Sequence, residues 1–160
     1  MNIEPNARLR LQFLSRVVGR ESHHLNRTKE RLLGSPFTID VVSRLAEDDD
    51  LSERVEAFVS RFARLQDTLG DKFIPQLLTV MGEQRSTLID NLDVAERLGW
   101  LASADEWLTM RQLRNQMVHE YIEDPQILIS AIQAARDFVP ELISAANKLQ
   151  AELQLRGWQE

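Results

Sequence analysis

The residues with the clearest chemical potential lie between positions 114 and 121, within the stretch SADEWLTMRQLRNQMVHEYIEDP that covers residues 103–125. His119 is a candidate general base, because histidine titrates near neutral pH and can take a proton from a ribose 2′-hydroxyl. Arg114 is a candidate partner, because a guanidinium can neutralise the charge that builds on a phosphate as it becomes pentacoordinate. Asn115, one turn before His119, could hold the imidazole in one tautomer. Together they predict the chemistry of a metal-free endoribonuclease that leaves a cyclic phosphate.

Structural roles are an open alternative for both residues. A histidine near the C-terminal end of a helix is favoured by the helix dipole, which would account for His119 without catalysis. Arg114 could pair with an acidic side chain on a neighbouring helix. The sequence by itself leaves the catalytic and the structural reading side by side.

Other reaction classes lack the residues they need. The chain has no cysteine, which removes disulfides, thiolate zinc sites and cysteine nucleophiles. His23 and His24 are adjacent on a predicted helix and point in different directions, and no HExxH spacing occurs. Walker-type and GxGxxG loops are absent as well. The sequence therefore predicts neither a metal nor another cofactor.

A helix with clear ends must carry these residues. Ser103 is a suitable N-cap with Glu106 three residues later, and Asp124-Pro125 ends this helix and begins the next. At about 100° per residue, one side is predicted to be apolar and the other to be exposed. The apolar side holds Met110, Leu113, Met117 and Tyr121, and the opposite side holds Leu108, Arg111, Asn115 and His119. A second copy docked across a two-fold axis would bring a second arginine and histidine to the same cleft.

The pattern formed by Arg114, Asn115, His119 and Tyr121 resembles the Rx4HxY signature of HEPN domains, in particular the HepT-like toxins of prokaryotic HEPN/MNT toxin–antitoxin modules. The motif covers about 20 residues on the penultimate major helix. The resemblance implies a homodimeric, metal-independent ribonuclease toxin of a type II or type VII-like system, with Arg114 and His119 catalytic in the dimer cleft. It also implies a small nucleotidyltransferase antitoxin as partner and makes Tyr121 a candidate AMPylation site.

Helices that precede the signature helix in HEPN folds sometimes add a polar group to the cleft, which makes Asp67 a secondary candidate. The alternative for Asp67 is a surface ion pair with Arg64, three residues earlier.

The remaining segments predict a single all-α antiparallel bundle, HEPN-like, dimeric and built from four to six helices over residues 1–160. Hydrophobic spacing and terminal signals place helices at about 5–33, 38–46, 52–69 (with Gly70 as C-cap), 73–81, 87–98, 103–123 and 125–155. Pro140 is expected to kink the last helix.

Charge is distributed unevenly along the chain. The net charge is −6, but residues 1–33 hold seven basic and three acidic side chains. Along the first helix, the face opposite the leucine stripe carries Arg16, Arg20, Arg27 and Arg31. This stripe is either an ordinary solvated face or a phosphate track that binds RNA beside the cleft.

Composition bounds the remaining possibilities. Hydrophobic residues make up 43% and charged residues 28%, which is typical of a globular protein. No membrane-spanning run and no signal peptide is apparent, so we expect a cytoplasmic location and no membrane partner. Besides the ribonuclease reading, two others stay open. One is a non-catalytic HEPN subunit that binds and regulates a nucleotidyltransferase, and the other is a helical adaptor whose resemblance is accidental.

Overall fold

The computed structural model describes residues 2–119 and 124–160, with residues 118 and 119 described by their backbone alone. Within these ranges every regular element is a helix, as predicted. The elements are α1 (Pro5–Leu33), α2 (Ile39–Ser43), α3 (Asp49–Asp67), a π turn (Thr68–Phe73), α4 (Ile74–Met81), α5 (Leu88–Arg97), α6 (Ala104–His119) and α7 (Pro125–Leu155). Because the π turn joins α3 to α4 without interruption, the described chain forms six helical segments, within the predicted four to six.

The helix ends follow local capping chemistry. The Ser103 hydroxyl accepts the Glu106 N–H at 3.0 Å at the start of α6, and the Asp124 carboxylate accepts the Gln126 N–H at 3.0 Å at the start of α7. The sequence predicts both caps. The predicted start of α3, near residue 52, was wrong by three residues, because the helix begins at Asp49. Asp48 accepts the Leu51 N–H at 3.0 Å, so the acidic run at 47–50 begins the helix instead of forming a plain loop.

The predicted helix end at Gly70 was also wrong. The backbone passes through Gly70 inside the π turn, and positive φ angles among the described glycines occur at Gly82, Gly99 and Gly157 instead. The glycine serves a packing purpose, because a Cβ placed on it would lie 3.1 Å from Nε1 of Trp107. A helix with a wider turn and no side chain at this point lets the indole approach the backbone.

The helices pack antiparallel around one core. Residue numbers rise along one helix as they fall along its neighbour. Hydrogen bonds between α3 and α6 join Gln66 to Trp107 and Ala63 to Arg114, and those between α1 and the end of the chain join Ser15 to Gln150 and Gln12 to Trp158. Helix α3 also contacts α1, where Arg61 meets Thr28. The predicted leucine stripe of α1 is buried, and α7 runs as one α-helix through an exposed Pro140. Between α3, α6 and α7, an aromatic cluster places ring centroids about 6 Å apart; its members are Phe58, Phe62, Trp107 and Phe138.

The end of the chain folds back onto the start of α1. The Gln12 amide donates to the Trp158 carbonyl at 3.0 Å, and the Trp158 ring is buried. Among the helices described, none combines the length and the apolar character that a membrane span needs.

Candidate active site

Helix α6 is anchored by one apolar stripe. Ala104, Trp107, Met110 and Met117 are buried against α3 and α7, while Leu113 is half-buried. The Trp107 ring meets Phe138 of α7 edge to face, with centroids 6.0 Å apart. These contacts fix the rotation of α6 about its axis and so decide where its polar side chains point.

Arg114 points into the boundary between α6 and α3. Its Nη1 atom lies 2.6 Å from Oδ1 of Asp67 and 3.1 Å from the Ala63 carbonyl oxygen, which accepts a hydrogen bond. A longer contact of 3.5 Å reaches Oε1 of Gln66. The Arg114 side chain is 13% exposed and that of Asp67 43%, so the pair sits at the rim of the interface. The guanidinium is therefore held in one orientation with limited access to solvent.

The structure brings together two residues that the sequence singled out separately. Asp67, predicted as a secondary site residue, contacts the predicted catalytic Arg114. The alternative pairing of Asp67 with Arg64 was wrong, because the Asp67 carboxylate forms its ion pair with Arg114 and none with Arg64. The structural alternative for Arg114, an ion pair with an acidic side chain on a neighbouring helix, is also present, because its partner Asp67 belongs to α3.

Gln66 links the ion pair to the core. It is only 1% exposed; its amide nitrogen donates to the Trp107 carbonyl at 3.0 Å, and its amide oxygen faces Arg114. A buried amide with both ends engaged has one favourable orientation. Gln66 thus connects the aromatic anchor of α6 to the Arg114 guanidinium.

A second ion pair lies one turn earlier on α6. Nη2 of Arg111 is 3.4 Å from Oδ2 of Asp71 in the π turn, and both side chains are more than a third exposed. Burial raises the pKa of the Asp71 carboxyl above its ordinary value, with Arg111 opposing the shift and the nearby Asp67 carboxylate adding to it. The two α6 arginines therefore face two carboxylates, one on α3 and one in the π turn.

Glu21 of α1 approaches the same π turn from the other side. Its Oε1 atom is buried and has no hydrogen-bond partner among the described residues. Burial raises the pKa of the Glu21 carboxyl, and the Thr68 hydroxyl, Arg64 and Lys72 oppose the shift. Burial outweighs these opposing contributions, and the Thr68 hydroxyl also donates its proton to the Arg64 carbonyl at 2.9 Å.

The other predicted site residues are only partly described by the structure. Asn115 is exposed, and the backbone of His119 forms the last residue of the helix. The His119 side chain and the whole of Tyr121 lie outside the described residues. The pairing of Arg114 with His119, and any role of Tyr121, stay predictions.

The predicted arginine stripe of α1 is exposed along its full length, at Arg16, Arg20, Arg27 and Arg31. Its members differ in their surroundings. Arg16 forms an ion pair with Glu160 at the end of the chain. Arg31 lines a polar cleft of about 300 Å³ between α1 and α3, together with Arg54 and Arg61 of α3. The stripe thus meets further arginines from a second helix.

Sequence reasoning missed Gln66, Asp71 and Arg111 as parts of this region. A usable signal was present, because Asp67 and Asp71 are four residues apart while Arg111 and Arg114 are three apart on another helix. Both spacings place the two side chains on one helix face, and the charges are complementary. The pattern lacked only the information that α3 and α6 are neighbours.

In the described part of the chain, no three side chains of histidine, aspartate or glutamate cluster as metal ligands would. Comparison of the chain with protein-family models, with curated proteins and with solved structures finds no match.

Proposed function

We propose that this protein is a metal-independent endoribonuclease of the HepT-like HEPN type, which acts as a homodimer and is neutralised by a nucleotidyltransferase antitoxin. The proposal rests on the sequence pattern of α6 and on one geometric observation. Arg114 is oriented by the Asp67 carboxylate at 2.6 Å and the Ala63 carbonyl at 3.1 Å, at the rim of a helix interface. An arginine fixed in this way is preorganised to meet a phosphate with little loss of entropy.

The reaction would need no water and no metal. His119 takes the proton of the ribose 2′-hydroxyl, and the 2′-oxygen attacks the adjacent phosphorus. The bond from phosphorus to the 5′-oxygen breaks, which leaves a 2′,3′-cyclic phosphate and a 5′-hydroxyl. The leaving 5′-oxygen takes up a proton from the second histidine of the dimer cleft. Arg114 stabilises the negative charge on the non-bridging oxygens of the pentacoordinate phosphorus.

A second candidate is the non-catalytic subunit that regulates a nucleotidyltransferase. The same ion pair favours it, because Asp67 already satisfies the charge of Arg114 at close range and with only 13% of the arginine side chain exposed. In this reading Arg114 joins α6 to α3 and contributes stability alone. The two candidates differ in an RNA cleavage assay at equal folded fraction. The ribonuclease candidate predicts cleavage that is lost when Arg114 is removed, and the regulatory-subunit candidate predicts no cleavage at all.

The deciding experiment is RNA cleavage in EDTA by the wild type, Arg114→Ala, Arg114→Lys and His119→Ala. Arg111→Ala is the matched control, since it removes an arginine from the same helix that also pairs with a carboxylate, at 3.4 Å. We expect His119→Ala and Arg114→Ala to lose about 10²- to 10³-fold in rate, with cyclic-phosphate ends on the wild-type product. Arg114→Lys should recover only part of the loss, because lysine lacks the planar fork.

Thermal unfolding of each variant separates chemistry from stability. If Arg111→Ala loses as much activity as Arg114→Ala, the assignment of Arg114 as a catalytic residue is wrong. If the wild type forms a dimer and does not cleave RNA, the regulatory-subunit candidate replaces the ribonuclease.

A further inference from the structure

We infer that α1 and α3 together form a binding surface for the backbone of single-stranded RNA, which leads from α1 across α3 to Arg114. We call this surface the basic belt and define it by Arg20, Arg27 and Arg31 of α1, Arg61 and Arg64 of α3, and Lys72 of the π turn. The inference rests on the proposed function for its choice of polyanion, and it adds the path by which the substrate reaches the site.

The register of the two helices brings these cations together. The Arg61 guanidinium crosses to α1, where it contacts the Thr28 hydroxyl and the His24 carbonyl. Arg27 directly precedes Thr28 and Arg31 follows it by three residues, and both arginines are exposed. Farther along, Arg64 and Lys72 lie close enough to Glu21 of α1 to lower its pKa. The cations of α3 and the π turn therefore lie next to the α1 arginine stripe and widen it.

The belt extends along α1 and includes a cleft between α1 and α3. From Arg20 to Arg31 the α1 stripe extends about 16 Å along the helix axis, at 1.5 Å per residue. Beside Arg31, the cleft between α1 and α3 has a volume of about 300 Å³ and is lined by Arg31, Arg54 and Arg61 together with Thr28. Guanidinium groups on two walls of one cleft suit a phosphate, which accepts hydrogen bonds on several oxygens.

Acidic side chains are present at both ends of the belt. Asp50 and Glu53 line the same cleft as Arg31, Arg54 and Arg61, where the three arginines outnumber the two carboxylates. Glu21 lies at the other end, half-buried between α1 and the π turn. Arg16 is outside the belt, because its charge is taken by Glu160. The structure thus divides the predicted α1 stripe into one neutralised member and three members that contribute to the belt.

The belt ends beside the proposed catalytic arginine. Arg64 and Asp67 are three residues apart on α3 and so are neighbours on the helix surface. Asp67 in turn contacts Arg114 at 2.6 Å. A strand that follows the belt from α1 over Arg64 therefore arrives at the rim where the Arg114 guanidinium is held.

The test measures binding and not cleavage. A fluorescein-labelled, single-stranded 2′-O-methyl RNA of 20 nucleotides resists cleavage by a 2′-hydroxyl mechanism, so its fluorescence anisotropy reports binding at equilibrium. The variant is Arg27→Ala/Arg64→Ala, which removes two exposed belt cations. The matched control is Arg85→Ala/Arg97→Ala, which removes two exposed arginines that flank α5, a helix packed on α4, α6 and the π turn. Both double variants change the net charge equally.

We expect the belt variant to bind about ten- to a hundredfold more weakly at 50 mM salt, with the slope of log K against log salt reduced by about 1.4, or about 0.7 per lost phosphate contact. The control should bind as the wild type does. Equal weakening in both variants, an unchanged slope in the belt variant, or no binding by the wild type would overturn the inference. Belt-dependent binding without cleavage would refute only the ribonuclease, whereas cleavage that depends on Arg114 with belt-independent binding would refute only the belt.

Discussion

At the scale of single residues, Arg114 both connects two helices and lies close to the protein surface. It is buried enough to tie α6 to α3 and still lies at the rim, where its partner Asp67 is 43% exposed. Truncation of Arg114 removes its hydrogen bond to the Ala63 carbonyl and its ion pair with Asp67 as well as its charge, so it affects stability and chemistry together. This is why the cleavage assay compares Arg114 with Arg111, whose ion pair is longer and more exposed.

Glu21 gives a prediction about pH. Burial raises the pKa of its carboxyl in the folded state above 4.5, so at neutral pH the fold holds a charged group in an unfavourable place. As the pH falls through the folded-state pKa, protonation of Glu21 relieves this cost, and the relief is complete below 4.5. We expect Glu21→Gln to raise the melting temperature at pH 7.5, with a difference that shrinks as the pH approaches 4.5.

Circular dichroism melts from pH 4.5 to 8 would measure that difference, with Glu30→Gln as the control for an exposed carboxylate on the same helix. A Glu21→Gln protein less stable than the wild type at pH 7.5 would contradict the prediction. It would mean that attraction from Arg64 and Lys72 outweighs the cost of burial.

At the scale of elements, the continuous segment formed by α3, the π turn and α4 organises the region. Asp67 ends α3, Asp71 lies within the π turn, and Gly70 between them receives the Trp107 indole. A π turn adds a residue to the helical repeat and changes which side chains face a neighbouring helix. Here it lets both carboxylates face the arginines of α6 while the backbone itself contacts the anchor of that helix.

Gly70→Ala should therefore destabilise the protein by about 1–2 kcal/mol, because the added methyl would lie 3.1 Å from Trp107 Nε1 and that ring is held by Phe138. Gly19→Ala on α1 is the matched control. Its methyl would lie 3.3 Å from Nε2 of Gln150, which donates to the Ser15 carbonyl at 2.9 Å; because this atom ends a long side chain that can shift by a few tenths of an ångström, the gain in helix propensity should prevail. Chemical denaturation of both variants would show opposite signs; destabilisation of equal size would indicate that helix glycines are required for another reason.

At the scale of the whole molecule, charge is segregated. Residues 1–33 carry a net charge of +4 within a chain of net charge −6. An acidic protein can bind a polyanion only where its cations are concentrated on one surface, because the remainder of the molecule repels the ligand. The segregation of charge therefore favours the basic belt as the surface that we propose to bind RNA.

The proposed dimer predicts complementation between inactive variants. Arg114→Ala and His119→Ala, each inactive alone, should regain a small part of the activity after they are mixed under conditions that exchange subunits. One cleft then holds an intact arginine and one histidine to act as base, while the second histidine, which protonates the leaving oxygen, is missing. Light scattering should first show a mass twice the 18.5 kDa of one chain. A monomer, or a dimer whose mixture stays inactive, would contradict a cleft shared between the two chains.

The sequence by itself determined the helical class and most helix positions, because both depend on local signals. The leucine stripe of α1, the Ser103 cap and the start of α7 at Asp124-Pro125 each depend on signals within a few residues, and the structure confirms all three. One error, the start of α3, came from a local cap at Asp48 within an acidic run that is typical of a loop, and another arose where a tertiary contact outweighs local preference. Gly70 reads as a helix end, but the approach of Trp107 from α6 makes it a packing glycine inside a continuous helical segment.

Only the tertiary structure decided how the charged residues combine. Sequence reasoning placed Arg114 and Asp67 among the candidates, with a surface pair to Arg64 as the alternative for Asp67, and the fold pairs Asp67 with Arg114 at 2.6 Å. It likewise grouped Arg16 with Arg20, Arg27 and Arg31, whereas the returning chain end brings Glu160 to Arg16 and the register of α3 brings Arg61 to the cleft beside Arg31. Helical periodicity fixes the direction in which a side chain points, but the rotation and neighbours of the helix, set by packing of the whole core, fix what it meets.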